Sequence, residues 1–369
     1  MAPFLPGRLW LIVLLLLAPP LRADVPATVR AAPASPALRS EALLTRIGFA
    51  SCLHQARPQP ILEAVNARSW DLFLMIGDNV YGDAEPPELG ALAEAYGLQA
   101  RSPGLNALRA STPVLAVWDD HDYGQNDAGA DFPAKARAEE LFHAFWHTPA
   151  DAVERERPGL YRARTVGPEG RRVQLIFLDT RSFRSSLVPT DARGAPGRER
   201  YLPNEDPEAT LLGAEQWAWL EARLREPADL RLLVSSIQVI ADGHGYEAWR
   251  LFPAERERLY ALLRDVRPGG VVVLSGDRHR AGVYRYAEDL PYPLLEVTSS
   301  SLNLPIPNAT EEAGPQRLGA TFLGENFGEL VVDWEREQLA LRVRDLTGDA
   351  VRELTLPLAA LEPDAAADR

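Results

Sequence analysis

Five separated stretches of the chain carry side chains that bind metals or move protons. They read Ser51-Cys52, Gly77-Asp78-Asn79-Val80-Tyr81-Gly82-Asp83, Asp119-Asp120-His121-Asp122, Asp179-Thr180-Arg181 and Gly276-Asp277-Arg278-His279. Taken singly, each reads as a turn, because Asp, Asn and Gly-Asp pairs are ordinary turn formers. A free cysteine is most often a small buried core residue. Independent turns would not, however, be expected to supply a thiol, a phenol, two imidazoles and several carboxylates, each directly after an apolar run. That collection suits a polynuclear metal centre, with hard oxygen ligands for one ion and a mixed set for another. A second reading is a hydrolase with Cys52 as nucleophile and one of the two histidines as base. There is no G-x-S-x-G elbow, Walker loop, G-x-G-x-x-G or C-x-x-C, so serine-hydrolase, nucleotide-loop and zinc-ribbon chemistry lose their usual signatures.

The apolar runs before these stretches read as buried strands at 46–50, 70–76, 113–118, 172–178, 231–239 and 270–275. Helix-like segments at 59–68, 88–98, 133–146, 213–225 and 254–265 lie between them, and beyond 280 strands dominate. This order predicts a layered α/β sandwich with mixed sheets. In open α/β sheets the carboxyl ends of the strands border the ligand crevice, so the polar tips are expected to converge. The irregular stretch 185–212, rich in Arg, Pro, Asp and Glu, has the length of a functional loop. Trp217 and Trp219, two apart on a helix, are expected to divide between core and surface.

Residues 1–23 place Arg8 before an apolar run and end in Leu21-Arg22-Ala23, the pattern of a cleaved secretory signal. The expected organisation is a signal at 1–23, an Ala/Pro-rich linker at 24–45, one catalytic domain at 46–358 and a flexible acidic tail at 359–369. The mature protein is then secreted or periplasmic, with no stable membrane anchor after cleavage. The formal charge is −13 and becomes −15 once Arg8 and Arg22 are removed. Such acidity argues against non-specific binding to nucleic acid or anionic lipid. The basic residues are almost all arginine, Lys135 being the single lysine, so arginine count alone does not indicate anion recognition.

The chain resembles the PhoD-like alkaline phosphatase and phosphodiesterase family of the metallophosphoesterase superfamily. The resemblance runs from about Ile47 to Leu358 on FASC, GDNVYGD, VWDDHDYGQND, the pair GLYRARTVG and VQLIFLDTRSFR, LLGAEQWAWL, LLVSSIQV and LSGDRHRAGVYR. It implies a four-layer αββα sandwich of two mixed β-sheets flanked by helices. It also implies a ferric ion held by Cys52, Asp78, Tyr81 and His279, and a calcium ion, or another divalent metal, held by the shared Asp78 with Asp277, Asp120 and, less directly, Asp119. Iron(III) is a Lewis acid strong enough to deprotonate a phenol near neutral pH. The implied activity is hydrolysis of phosphate monoesters or diesters, lipid head groups included, by attack of a metal-bound hydroxide. His121 would serve the leaving oxygen, and Arg181 and Asn126 the non-bridging oxygens. The chain departs from the family in reading Ala-Ser-Cys for Gly-Ser-Cys and in lacking a twin-arginine signal. The best-known relatives carry a further all-β domain before the catalytic one. A degenerate, calcium-binding exported protein is the non-enzymatic alternative.

Overall fold

The structure, a computed structural model, describes residues 24–363 except Asn308, Thr310 and Ala313. The signal reading at 1–23 and the tail beyond 363 lie outside the described residues. The strands, in chain order, are β1 (Arg46–Ala50), β2 (Leu72–Ile76), β3 (Val114–Val117), β4 (Arg162–Val166), β5 (Val173–Phe177), β6 (Val188–Pro189), β7 (Tyr201–Leu202), β8 (Leu230–Val234), β9 (Val271–Ser275), β10 (Ala281–Tyr286), β11 (Leu294–Ser299), β12 (Asn326–Asp333), β13 (Gln338–Asp345) and β14 (Ala350–Pro357). The helices are α1 (Ile61–Asn66), α2 (Gly90–Gln99), α3 (Pro103–Ser111), α4 (Asp120–Tyr123), α5 (Lys135–Phe145), α6 (Gly213–Leu224) and α7 (Pro253–Val266).

Two six-stranded mixed sheets result, in the orders β14-β13-β12-β1-β2-β3 and β10-β11-β9-β8-β5-β4. The central strands LFLMI, VQLIF, LRLLV and VVVLS are buried at every position. Continuous burial of this kind is what a parallel strand covered on both faces requires. β1, β2 and β3 run parallel, as do β5, β8, β9 and β11. The carboxyl ends within each parallel set therefore share one edge of their sheet. Helices flank the sheets, giving the four-layer α/β architecture expected. Gln174 of β5, for example, donates to Arg223 O of α6.

Several local expectations change. The apolar run 231–239 leaves the sheet after Val234. Ser235 turns the chain by donating to Ile237 O at 2.7 Å, and the Val239 and Ile240 amides go to the Glu296 carboxylate. Hydrophobicity alone does not separate a strand from a buried loop whose amides find side-chain acceptors. Helix α3, capped by Ser102 with Pro103 in its first turn and burying Leu105 and Leu108 on one face, and the half-exposed strand β4, rich in arginine and threonine, lie outside the expected helices and strands. The 24–45 stretch, read as a linker, lies on the body: Val29, Leu38 and Leu44 are buried. At the other end Leu361 is buried too. Trp217 is buried and donates to Glu255, while Trp219 is half-buried against Tyr161.

The two sheets meet where their strand tips leave no room for side chains. A Cβ on Gly276, after β9, would lie 2.5 Å from Ser51 Oγ and 2.7 Å from Ser51 Cβ, after β1. A Cβ on Gly77 would lie 2.7 Å from Asp119 Cβ and 3.1 Å from Ser236 Cβ. Overpacking of this order costs about 1–3 kcal/mol. Gly276→Ala is therefore expected to lower the free energy of unfolding by that amount, read as a lower urea midpoint at unchanged slope, and an unchanged midpoint would show that the tips are not in contact.

Candidate metal centre

All five polar stretches follow a strand of a parallel set: Cys52 follows β1, Asp78 β2, Asp119 and Asp120 β3, Arg181 β5, and Asp277 and His279 β9. Their backbones are held in unusual conformations. Cys52, Asp78, Asp277 and His279 have φ of 60°, 51°, 64° and 52°, the left-handed region that non-glycine residues seldom occupy and that clusters at functional sites.

These conformations bring the side chains together. Cys52, Asp78 and His279 each offer a ligand atom within 4.8 Å of the others, and Tyr81 Oη donates to Asp78 Oδ2 at 3.0 Å. Asp78, Asp119, Asp120 and Asp277 form a second such group, and Asp78, Asp120 and His121 a third. Asp78 thus joins a mixed S/O/N donor set to an all-carboxylate set. Asp119 and Asp120 both belong to the carboxylate set, in different surroundings. Asp119 Oδ1 already accepts Arg181 Nε at 2.6 Å and Ser236 Oγ at 2.7 Å, leaving Oδ2 buried without a hydrogen-bond partner. Asp120 Oδ2 accepts the Asp127 amide at 2.7 Å, and its Oδ1 is likewise buried and unpartnered.

The donor set fits metal ions. Burial first, then the neighbouring Asp78, pushes the Cys52 thiol well up, and the same two causes push up the Tyr81 phenol. Burial and Asp120 raise Asp78, and burial with Asp120 lifts Asp277 to about 7. Burial also opposes ionisation of Asp120, but His121, Arg181 and the Asp127 amide outweigh it and keep that carboxyl below the usual range. A cluster of acids that cannot ionise together, with lone pairs left unsatisfied, is relieved by a cation in its midst. His279 is held ready as a neutral ligand: burial lowers it to about 4, and its Nδ1 lies 2.6 Å from Leu304 O, which leaves Nε2 free.

His121 differs. Burial opposes its charge, yet Asp120, Asp78 and Asp83 raise it to about 11. Its Nδ1 lies 2.9 Å from Asp83 Oδ2, and its ring tilts over Tyr81 at 4.3 Å. Asp83 lies within the quoted GDNVYGD, but sequence alone offers no sign that it faces a histidine one motif away. Asp122 locks the two tips together by accepting the Asp119 and Asn79 amides at 2.5 and 3.1 Å.

Above the ligands opens a cavity of about 690 Å³ whose wall includes Asp120, His121, Asn126, Asp277 and His279. Asn126 is exposed there. Arg181, expected to reach substrate oxygens, instead lies fully buried behind Asp119, with Nη1 2.5 Å from Glu247 Oε2. A buried guanidinium is stable only with carboxylates around it, so Arg181 positions Asp119 and does not face the cavity. Arg200, from the 185–212 stretch, does line the cavity. That stretch folds back as the hairpin β6–β7, tied down by Arg200 Nη1 and Tyr201 Oη on Asp127 Oδ2 at 2.9 and 2.7 Å.

The pKa shifts carry a sign that can be checked. Asp122, raised to about 7 chiefly by burial, and Asp277 hold protons in the folded metal-free protein that the unfolded chain releases near pH 4. Their contribution is fully present below about pH 4 and lost as pH rises through about 7. Metal binding, which needs the ligands deprotonated, should compensate. The gain in melting temperature on adding metal to chelator-stripped protein is expected to be larger at pH 8 than at pH 5; the reverse order would contradict the ligand assignment.

The chain is 29% identical over 193 residues to alkaline phosphatase D of Bacillus subtilis (strain 168), a match covering 47% of this chain and 32% of that protein. The match therefore spans about a third of that relative's length. Among solved structures it is similar in fold to one described as the structure of PhoD, with a TM-score of 0.65 and 19% identity over 88% of this chain and 70% of the other. It is also similar to GAP50, described as the anchor in the inner membrane complex of Plasmodium, with a TM-score of 0.53 and 13% identity over 86% and 89%. The family model for PhoD-like phosphatases matches residues 47–329, from the first strand past His279 and into β12. By that match over most of its length, the chain belongs to the PhoD-like phosphatase family.

Proposed function

We propose that this protein is an exported, metal-dependent phosphoric ester hydrolase acting on phosphomonoesters or phosphodiesters of small molecules or lipids. The observation that carries the reading is the pair of donor groups sharing Asp78 beneath an open cavity. Cys52, Asp78, Tyr81 and His279 would hold iron(III), whose affinity for thiolate, phenolate and imidazole matches that set. Asp78, Asp120 and Asp277, with Asp119, would hold calcium, which prefers oxygen donors. When bound, the ions supply Lewis acidity that neutralises phosphate oxygens and activates water for in-line attack.

The chain's own residues do the rest. With Nδ1 engaged by Asp83, His121 has Nε2 left to give a proton to the departing alkoxide oxygen. Asn126 offers its amide N–H groups to a non-bridging oxygen from the cavity wall, and Arg181 acts through Asp119. The cysteine-nucleophile reading is disfavoured because Cys52 is fully buried, its thiol is pushed up, and its sulfur is 3.0 Å from Ser300 Oγ and 3.5 Å from Asp78 Oδ2. Export rests on residues 1–23 alone. Among the described residues no helix is long and apolar enough to cross a membrane.

Elemental analysis of the purified protein with its absorption spectrum tests the proposal. One equivalent of iron and a visible phenolate-to-iron band that vanishes in Tyr81→Phe are expected. Full phosphodiesterase activity without a transition metal would sink the iron assignment.

A further inference from the structure

The cavity wall holds acids beyond the groups that share Asp78, and most have partners of their own. Asp127 is taken by Arg200 and Tyr201, Glu247 by Arg181 and Arg184, and Glu311 by Arg317 at 2.7 Å. Glu312 is different. Its Oε1 alone pairs with Arg278 Nη2 and stands 3.5 Å from Arg280 Nη2. Both arginines flank the proposed ligand His279, both line the cavity, and both are nearly buried at 6% side-chain exposure. Arg278 is also fixed from the side by Tyr246, whose ring centroid is 4.4 Å from its Cζ. Glu312 lies in the long connection between β11 and β12, residues 300–325, which among the described residues contains no helix or named strand.

We propose that Arg278 and Arg280 form a subsite for a second anionic group on the substrate, and that Glu312 is the resident anion which that group displaces. Two guanidinium forks converging on one carboxylate oxygen are better matched by a phosphate or carboxylate that presents several oxygens to both. Because Arg278 and Arg280 line the same cavity as Asp120, His121, Asp277 and His279, the second anion and the reacting phosphate would share that cavity. The substrate class is therefore a phosphate ester whose organic arm is itself negatively charged. The inference rests on the phosphoesterase reading above and narrows it.

The test uses three p-nitrophenyl phosphodiesters whose second alcohol is phenol, choline or glycolate, so the arm is neutral, cationic or anionic. In each, a water oxygen adds to phosphorus and gives up a proton to solvent, the bond to the p-nitrophenyl oxygen breaks, and p-nitrophenolate leaves with the bonding pair. A charge-assisted contact changes binding by roughly tenfold or more. The ratio of kcat/KM for the anionic over the neutral arm is expected to rise about tenfold in Glu312→Gln and to fall by a similar factor in Arg280→Gln, with the cationic arm responding in the opposite sense. An unchanged ratio, or an equal change for all three arms, would overturn the subsite.

Sulfate titrated into the metal-loaded proteins by calorimetry reads the same site without turnover. Its affinity should tighten in Glu312→Gln and weaken in Arg280→Gln, and equal affinities would also overturn the proposal. Hydrolysis of none of the three diesters, with sulfate affinity still shifting, would retain the anion site and remove the phosphoesterase reading.

Discussion

An Asp78→Asn protein is expected to fold and to lose both bound metals together, with turnover of a phosphodiester falling at least about 10³-fold. The expectation follows from the position of Asp78, which belongs to the mixed donor group and to the all-carboxylate group at once. Lewis-acid stabilisation by bound ions is worth several kcal/mol, and each 1.4 kcal/mol is tenfold in rate. Folding should survive because burial and Asp120 push the Asp78 carboxyl toward its protonated form in the metal-free protein. An amide of the same shape carries no charge into that buried position. Elemental analysis beside a thermal melt separates the outcomes. Loss of one metal only would mean that Asp78 does not bridge, and retention of both with full activity would remove it from the centre.

His121→Asn is expected to lower turnover by roughly 10²–10⁴-fold, the usual worth of a positioned proton donor, and to do so unevenly across substrates. A leaving group such as p-nitrophenolate departs without a proton, whereas an alkyl alkoxide does not. The deficit should therefore be several-fold to tenfold or more for a p-nitrophenyl ester and far larger for an alkyl ester, while the metal content stays unchanged. Asp83→Asn, which keeps His121 but weakens the contact at Nδ1, should reproduce the same leaving-group pattern at smaller amplitude. Equal losses on both substrate types would assign His121 to phosphate binding instead of proton transfer.

Much of the site was legible before any coordinates. Ligand chemistry demands particular residue types, and a parallel sheet delivers its strand ends to one edge. Apolar runs each ending in Cys, Asp or His therefore carry both parts of the argument in the local sequence. The strained φ values at Cys52, Asp78, Asp277 and His279 agree with that reading but could not have been inferred, since even Asp and His, enriched among the exceptions, seldom occupy the left-handed region.

What stayed hidden were pairings between distant charges. Arg181 looked like a phosphate ligand because guanidinium matches phosphate; only the fold reveals Glu247 and Asp119 already around it. Asp83 could not be assigned to His121, nor Glu312 to Arg278 and Arg280, from spacing of any kind. The sequence by itself determined the layered α/β class, the donor residue types at the strand tips and the family, because these depend on residue type and short-range periodicity. The tertiary structure alone decided which charged groups face the cavity and which are spent on one another. A side chain's direction and its partner are set by the packing of elements far apart in the chain, which no local spacing encodes.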